Sequence, residues 1–339
     1  MRILIILVLS GVIFYLLYLK DTPIEPLISP KPDSSSVTKQ AKLTVPKDSA
    51  ASYIGKTEKE WIQKWGKPDR IDPSAYGYSW YVYSKDNTAY IQAGVDKGKI
   101  VTVYALGDRV NVGPFKINEP VSSVLRKASP EPNINIKEGS EFYRFELSES
   151  DLNMRPLIPI TKEVYAQLYF DQYTQKLSSV RYVTSDVLLR QRPYSVVFHG
   201  KLPSEGGLTG KAQRLVEEAN EKQILDMTNV IRQKHGLKPL ASHKGASKVA
   251  YLHSKDMAVN EYFSHTSPTK GELSDRLNKG KVSYRAAGEN IAANYTDGAA
   301  AVEGWLNSEG HRKALLNPSY THLGVGVYLK EYTQNFITP

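Results

Sequence analysis

Three short polar segments carry the residues most suited to chemistry: Ser264-His265-Thr266-Ser267-Pro268, Gly288-Glu289-Asn290 and Asn307-Ser308-Glu309-Gly310-His311-Arg312. Two imidazoles and one or two carboxylates can bind a divalent, zinc-like ion or move protons. His265 lies 24 residues before Glu289 and His311 lies 22 after it, a spacing that does not by itself force a shared site. Other chemistries are excluded more firmly. The chain has no cysteine, so it has no disulfide framework, thiolate metal site, thiol nucleophile or lipid-modified N-terminal Cys. It has no His-Glu-x-x-His zinc helix and no Gly-x-Ser-x-Gly elbow. Gly210-Lys211 lacks the upstream Gly and following Ser or Thr of a phosphate loop. Asn294-Tyr295-Thr296 forms a glycosylation sequon, a pattern common by chance.

The elements expected to position these residues follow from hydrophobic spacing. Leu215, Ala219, Ile224, Met227 and Ile231 share one face of a helix over 211–234, ended by His235-Gly236. A second helix is expected over 244–260, with Ala246, Val249, Ala250, His253 and Met257 inward; His253 reads as a buried structural imidazole. A third spans 298–307, with Ala301, Val302 and Trp305 inward. Leu323 to Leu329 alternates as a strand, and 332–337 supplies its neighbour. The three polar segments fall in loops and at element ends. His199, His235, His243 and His322 read as surface or turn residues.

The 339 residues are too many for one compact domain, and composition divides them. Residues 53–195 hold 13 of the 22 tyrosines and no histidine, whereas 196–339 hold all seven histidines. A Gly- and Pro-bearing linker is expected at 196–210, with independently folded units on either side. The first unit repeats itself. Ile54, Trp61 and Trp65 match Ile117, Val124 and Ala128, and Tyr90–Asp96 matches Tyr165–Asp171, which predicts two tandem units of a helix and an antiparallel meander. The stripe Tyr76, Tyr78, Trp80, Tyr81, Tyr83 can serve as a stacking platform or as a half-buried sheet face, and the second reading is preferred.

The N-terminus sets the compartment. Ile3 to Leu19 is a 17-residue run broken only by Ser10 and Gly11, preceded by Arg2. It would extend about 25 Å as a helix, enough for a thin hydrocarbon core, and no small-x-small cleavage site follows. Residues 1–20 are therefore read as a single-pass anchor in the cell membrane, with the remainder extracytoplasmic. The alternative is secretion after signal cleavage. Residues 21–52, rich in Pro and Ser, read as a disordered spacer. The net charge of +9 is spread without a basic block: residues 1–52 carry 6 basic and 4 acidic side chains, 53–195 carry 20 and 17, and 196–339 carry 18 and 14. That argues against nucleic acid as a partner and leaves weak attraction to anionic envelope polymers.

From 53 to 192 the sequence resembles the domain that often precedes a CAP domain in Gram-positive bacteria, most clearly from Ile54-Gly-Lys-Thr57 to Gly66-Lys-Pro-Asp-Arg-Ile-Asp-Pro-Ser-Ala-Tyr-Gly-Tyr78. From 218 to 337 it resembles the CAP domain itself, of the cysteine-rich secretory protein, antigen 5 and pathogenesis-related class one superfamily. The matching pieces, in order, are Asn229–Leu240, Ala250–Met257, Tyr262–Pro268, Ala287–Ala292, Trp305–Arg312, Leu323–Gly326 and Tyr332–Phe336. The resemblance implies an α+β protein, a C-terminal α-β-α sandwich at 211–339 preceded by the tandem-repeat domain at 53–195, as in membrane-anchored CAP proteins of Gram-positive spore formers. It also implies a surface cleft with His265, Glu289 and His311 as metal-binding or catalytic residues. The family's second Glu falls on Ser308, so Glu309 is a substitute, and Glu303 lies two positions before the Trp. Family members bind sterols and lipids or act in signalling, so a binding module for a weakly held divalent metal or a small apolar or envelope ligand is expected first. A protease-like hydrolase is the alternative, and a scaffold that binds protein or cell wall is third.

Overall fold

The computed structural model describes residues 43–84, 86–204 and 206–339. The expected anchor and most of the expected spacer lie outside them. The spacer's last residues do not: Leu43 and Val45 pack on the core, and Ala50 and Ala51 are buried in a 3₁₀ turn at Ala50–Tyr53. Small side chains let this turn approach the sheet, and Ala50 N–H donates to Asn111 O (2.8 Å). Folded structure thus begins ahead of residue 53.

The first half contains α1 (Glu58–Trp65), β1 (Arg70–Pro73), β2 (Ser79–Tyr83), β3 (Tyr90–Asp96), β4 (Lys99–Leu106), α2 (Val121–Lys127), β5 (Asn133–Glu138), β6 (Glu141–Glu146), α3 (Glu149–Met154), β7 (Leu157–Pro159), β8 (Val164–Asp171), β9 (Lys176–Thr184), α4 (Ser185–Gln191) and β10 (Ser195–His199). Thr57 starts α1 with a capping box, its hydroxyl accepting from Glu60 N–H while Glu60 accepts from Thr57 N–H. Seven strands form one antiparallel sheet in the order β1-β2-β3-β4-β9-β8-β7. The two meanders meet at its centre, where Thr102–Leu106 of β4 pairs with Ser179–Val183 of β9. The internal repeat extends to irregularities. Both meanders carry a register shift, at Gly94/Val95 and at Tyr169/Phe170, and both helices begin beside an isolated bridge, Thr57–Lys99 and Pro120–Lys176. The second unit also inserts the β5–β6 hairpin, which forms a separate sheet in the order β10-β6-β5. Residues 196–199, read as linker, are therefore strand, paired with Phe142–Phe145.

The second half contains α5 (Gly210–Lys234), β11 (Ala241–Ser242), α6 (Lys244–Val259), α7 (Leu273–Lys279), β12 (Ala286–Ala293), α8 (Gly298–Leu306), α9 (Glu309–Leu315), β13 (His322–Tyr328) and β14 (Glu331–Thr338). Its sheet runs β11-β13-β14-β12, antiparallel except for the two-residue edge strand β11. Gly324 and Gly326 show why the strand motif alternates glycine. A Cβ at either would meet the α6 backbone, at Ala246–Ser247 and Ala250–Tyr251, so only glycine lets the helix lie this close. The opposite face, with Leu323, Val325 and Val327, packs with Ile224 and Met227 of α5 and Trp305 of α8. The result is the expected α-β-α sandwich.

One hydrophobic cluster continues from this face into the first half, through Tyr76, Tyr78, Trp80, Tyr90 and Tyr104. The tyrosine stripe is therefore core, and only Tyr83 of its five residues remains half-buried. The described residues fall in a single compact unit. The seam is polar at its centre. Arg181 of β9, 1% exposed, reaches Asp297 (2.8 Å), and Asp297 also caps α8 by accepting from Ala300 N–H (3.0 Å). Asp171 takes a two-pronged contact from Arg312 (3.0 and 3.1 Å). Asn307 accepts from Gln172 N–H (2.9 Å) and donates to Phe170 O (2.8 Å). Gln223 donates to Asp72 (3.0 Å).

Asp297→Ala leaves the Arg181 charge buried without its partner and removes a helix cap. Loss of about 3–5 kcal/mol of stability is expected from the unpaired charge, read from urea unfolding of the variant and the parent. A loss below about 1 kcal/mol would show that water reaches the seam.

Candidate functional site

Glu289 stands mid-strand on β12, not in a loop, and its side chain is 3% exposed. A carboxylate at that depth needs its lone pairs met, and three elements meet them. His265, on the loop after α6, contacts Oε1 through Nδ1 (3.0 Å). Arg276 of α7 forks onto both oxygens, Nη1 to Oε2 (3.0 Å) and Nη2 to Oε1 (3.1 Å). Asn335 of β14, the register partner of Glu289, donates to Oε2 (3.0 Å) when its amide is oriented to accept also from Ala250 N–H (3.3 Å). Burial pushes the Glu289 carboxyl up, but the His265 and Arg276 hydrogen bonds and the Arg276 charge outweigh it and hold the group below its ordinary range.

The His265 loop is fixed from below by Asp256 of α6, which accepts from Tyr262 Oη (2.6 Å) and Ser267 Oγ (2.6 Å). Arg276 Nη2 also donates to His265 O (2.7 Å). The His265 side chain is 53% exposed. Glu289 accepts from Nδ1, which leaves Nε2 as the outward nitrogen. His311 projects from α9, a helix that the hydrophobic pattern did not reveal, and its ring lies 6.4 Å centre to centre from that of His265. Burial, reinforced by the neighbouring His265, lowers the His311 pKa. Asn290, buried beside Glu289, donates to His311 O (3.1 Å) and ties α9 to β12.

The three expected residues are thus brought together, but not as three equivalent ligands. Both Glu289 oxygens are engaged, and a guanidinium lies against them. Among the described residues no group of three or more His, Cys, Asp or Glu side chains is disposed to hold a metal ion. The donor set fits an ion only through the two imidazoles, with Glu289 orienting His265 from behind. Glu309 is exposed and paired with Lys313 (2.7 Å), with no hydrogen bond to the cleft residues. Glu303 is buried in the seam, accepting from Tyr104, Ser178 and Ser179.

Two residues belong to the site that spacing did not assign to it. Arg276 carried no motif signal. His253 was expected in the core and is 1% exposed there, yet its Nε2 lies 3.9 Å from Glu289 Oε1 while bonded to Ser264 O (3.1 Å). His235, expected at the surface, bonds Ile231 O (2.9 Å) and contacts Arg312 (3.2 Å). Burial lowers the His253 pKa from 6.5 to about 4, Glu289 pulling it up and Arg276 down. The unfolded chain takes up this proton near pH 6.5, the native state only near 4. The unfolded state therefore binds more protons in that window, and stability falls as pH drops through it. His253→Gln can donate to Ser264 O but does not titrate. Its unfolding free energy should fall less than the parent's between about pH 7.5 and about pH 5; equal losses would show that His253 is not held neutral.

Comparison with known proteins matches residues 54–194 to the CAP-associated N-terminal family and residues 225–338 to the cysteine-rich secretory protein family. The Bacillus subtilis (strain 168) membrane protein YlbC is 45% identical over 335 residues, covering 98% of this chain and 96% of that protein. A solved extracellular protein containing a SCP domain from Bacillus anthracis superposes with a TM-score of 0.83 at 47% identity, covering 90% of this chain and all of the other. A solved cysteine-rich secretory protein from Staphylococcus aureus gives 0.76 at 30%, covering 88% of this chain and 98% of that one. The chain belongs to the cysteine-rich secretory protein family, as a CAP protein in which a CAP-associated N-terminal domain precedes the CAP domain.

Proposed function

We propose that this is an extracytoplasmic, membrane-associated binding module whose ligand meets the imidazole edge formed by His265 and His311. The observation that carries this reading is the pinned Glu289. Held by Arg276 and Asn335, it fixes the His265 ring through Nδ1 and turns Nε2 outward. Such a ring is a preorganised donor or ligand, and among the described residues no Ser, Thr or Lys side chain is hydrogen-bonded to it. A zinc-like ion is held here by two protein ligands and water, hence weakly, and folding does not depend on it. The envelope assignment is supported by the named membrane relative, the extracellular SCP-domain structure and the Ile3–Leu19 run.

Zinc titration by calorimetry tests the edge. One weak site is expected in the parent and none in the double variant His265→Ala, His311→Ala, while chelator leaves the parent folded. Zinc must compete with protons for imidazole, so affinity falls on acidification. His311, with its pKa lowered by burial, stays neutral further below about pH 6.5 than a free imidazole does. Equal binding by the double variant, or unfolding by chelator, would refute the edge.

Anchoring is tested separately, because residues 3–19 lie outside the described residues and no described helix is long and apolar enough to cross a membrane. The chain should fractionate with membranes and keep its N-terminal run. A soluble product beginning near residue 20 would contradict this.

A further inference from the structure

A cavity of about 470 Å³ lies between α6 and the end of α7, within the size range of small-molecule sites. None of His265, Glu289 or His311 lines it. It is walled instead by His253 and Arg276, the two residues that reach Glu289 from behind. Val249 and Leu252 give it an apolar side, and Leu252 is 53% exposed there. Gly280 closes one end against that side, since a Cβ on it would meet Val249 Cγ2. Arg276 lends only its stem, because its three nitrogens are committed to Glu272 O (3.3 Å), Glu289 and His265 O.

Two observations say what fits. The first is His253. Its Nε2 meets Ser264 O (3.1 Å), so in the neutral ring Nε2 carries the proton and Nδ1 is an acceptor. Nδ1 is buried with no hydrogen-bond partner, a condition native interiors rarely leave. With Nε2 taken, Nδ1 is the ring nitrogen that an occupant of the cavity meets, and the occupant must bring a donor. The second observation is charge. Lys248, Lys270, Lys279 and Lys281 stand exposed along the rim, and no carboxylate lines the cavity. Among the described residues none of these four ammonium groups forms an ion pair or hydrogen bond. The carboxylates nearby are already engaged. Asp256, whose charge reaches Lys270, accepts from Tyr262 and Ser267. Glu272 and Asp275 are held in the capping box of α7, and Glu272 also accepts from Thr266.

We propose that this cavity captures the C-terminal end of an apolar peptide. The last side chain packs on Val249 and Leu252, the last amide N–H donates to His253 Nδ1, and the long lysines close over the α-carboxylate. A fatty acid brings no donor for Nδ1, and an internal peptide segment brings no charge for the lysines. The site shares no residue with the imidazole edge and stands or falls independently of it.

The test titrates acetyl-Leu-Leu into the full chain by calorimetry. Its C-terminal amide and the depsipeptide in which an ester oxygen replaces the last N–H are the partial analogues. The free acid should bind at least about tenfold more tightly than either. Lys248→Glu combined with Lys279→Glu, both at the surface, should weaken the acid about tenfold or more while leaving the circular dichroism spectrum unchanged. His265→Ala should bind the acid as the parent does. Equal affinity for the three peptides, an unaltered affinity in the double lysine variant, or no binding of the acid at about 1 mM would overturn the proposal. So would loss in His265→Ala, which would place the peptide in the imidazole cleft, or tighter binding of octanoate, which would make the cavity an acyl site.

Discussion

The ion pair between Arg181 and Asp297 organises the molecule. Arg181 lies in the central strand pair of the seven-stranded sheet, its guanidinium over the Tyr104 ring (5.7 Å) and nearly out of reach of water. Burial works against its charge, and Asp297 more than offsets that cost, so the arginine is held cationic well above its ordinary range. Asp297 spends its other contact on the first turn of α8. The far end of that helix delivers Trp305 Nε1 to Ile291 O (2.9 Å), two residues along β12 from Glu289. A charge set by the first half is therefore connected, through one capped helix and one indole, to the strand that carries the cleft carboxylate.

The cleft repeats the same solution on a smaller scale. Glu289 is buried because β12 puts it on the α6 face of the sheet, and it stays ionised because Arg276 and His265 converge on it. Neutral His253 fills the space behind, too desolvated to compete with Arg276 for the carboxylate. The arrangement separates two duties that a list of conserved-type residues would merge. Glu289 and Arg276 fix geometry, whereas His265 and His311 face outward.

Much of this could be read in the residues. The α5, α6 and α8 faces follow from apolar spacing, and the alternation of Leu323 to Leu329 announced a strand. The repeat in the first half was visible at Trp61 and Val124. What periodicity could not show was β12, because Ala286-Ala-Gly-Glu-Asn-Ile-Ala-Ala293 is short-chained and polar at its centre and resembles a loop. Its strand character comes from pairing with β14 along all eight residues. Arg276 was invisible for a related reason: its partner is fixed by tertiary packing, and no local pattern marks a lysine- and arginine-bearing helix end as buried. The seam was hidden because Glu303, Asp297 and Arg181 read as solvent-facing charges until each is seen opposite its counterpart. The Gly and Pro stretch at 196–210 suggested a linker between independently folded units, yet loop composition reports only the connection and says nothing of the surfaces on either side.

The forked contact between Asp171 and Arg312 has an energetic consequence. Arg312 adjoins His311, and the β8–β9 turn that supplies Asp171 also holds Asn307. The segment from Trp305 to Arg312 is thus constrained from two directions, by the cleft it serves and by the β8–β9 turn of the first domain. Removing either Asp171 or Arg312 leaves the other charge without its forked partner, so the energetic effects of substitutions in that turn and in α9 are coupled. A chimera that exchanged one domain between distant relatives would have to carry these seam residues across with it.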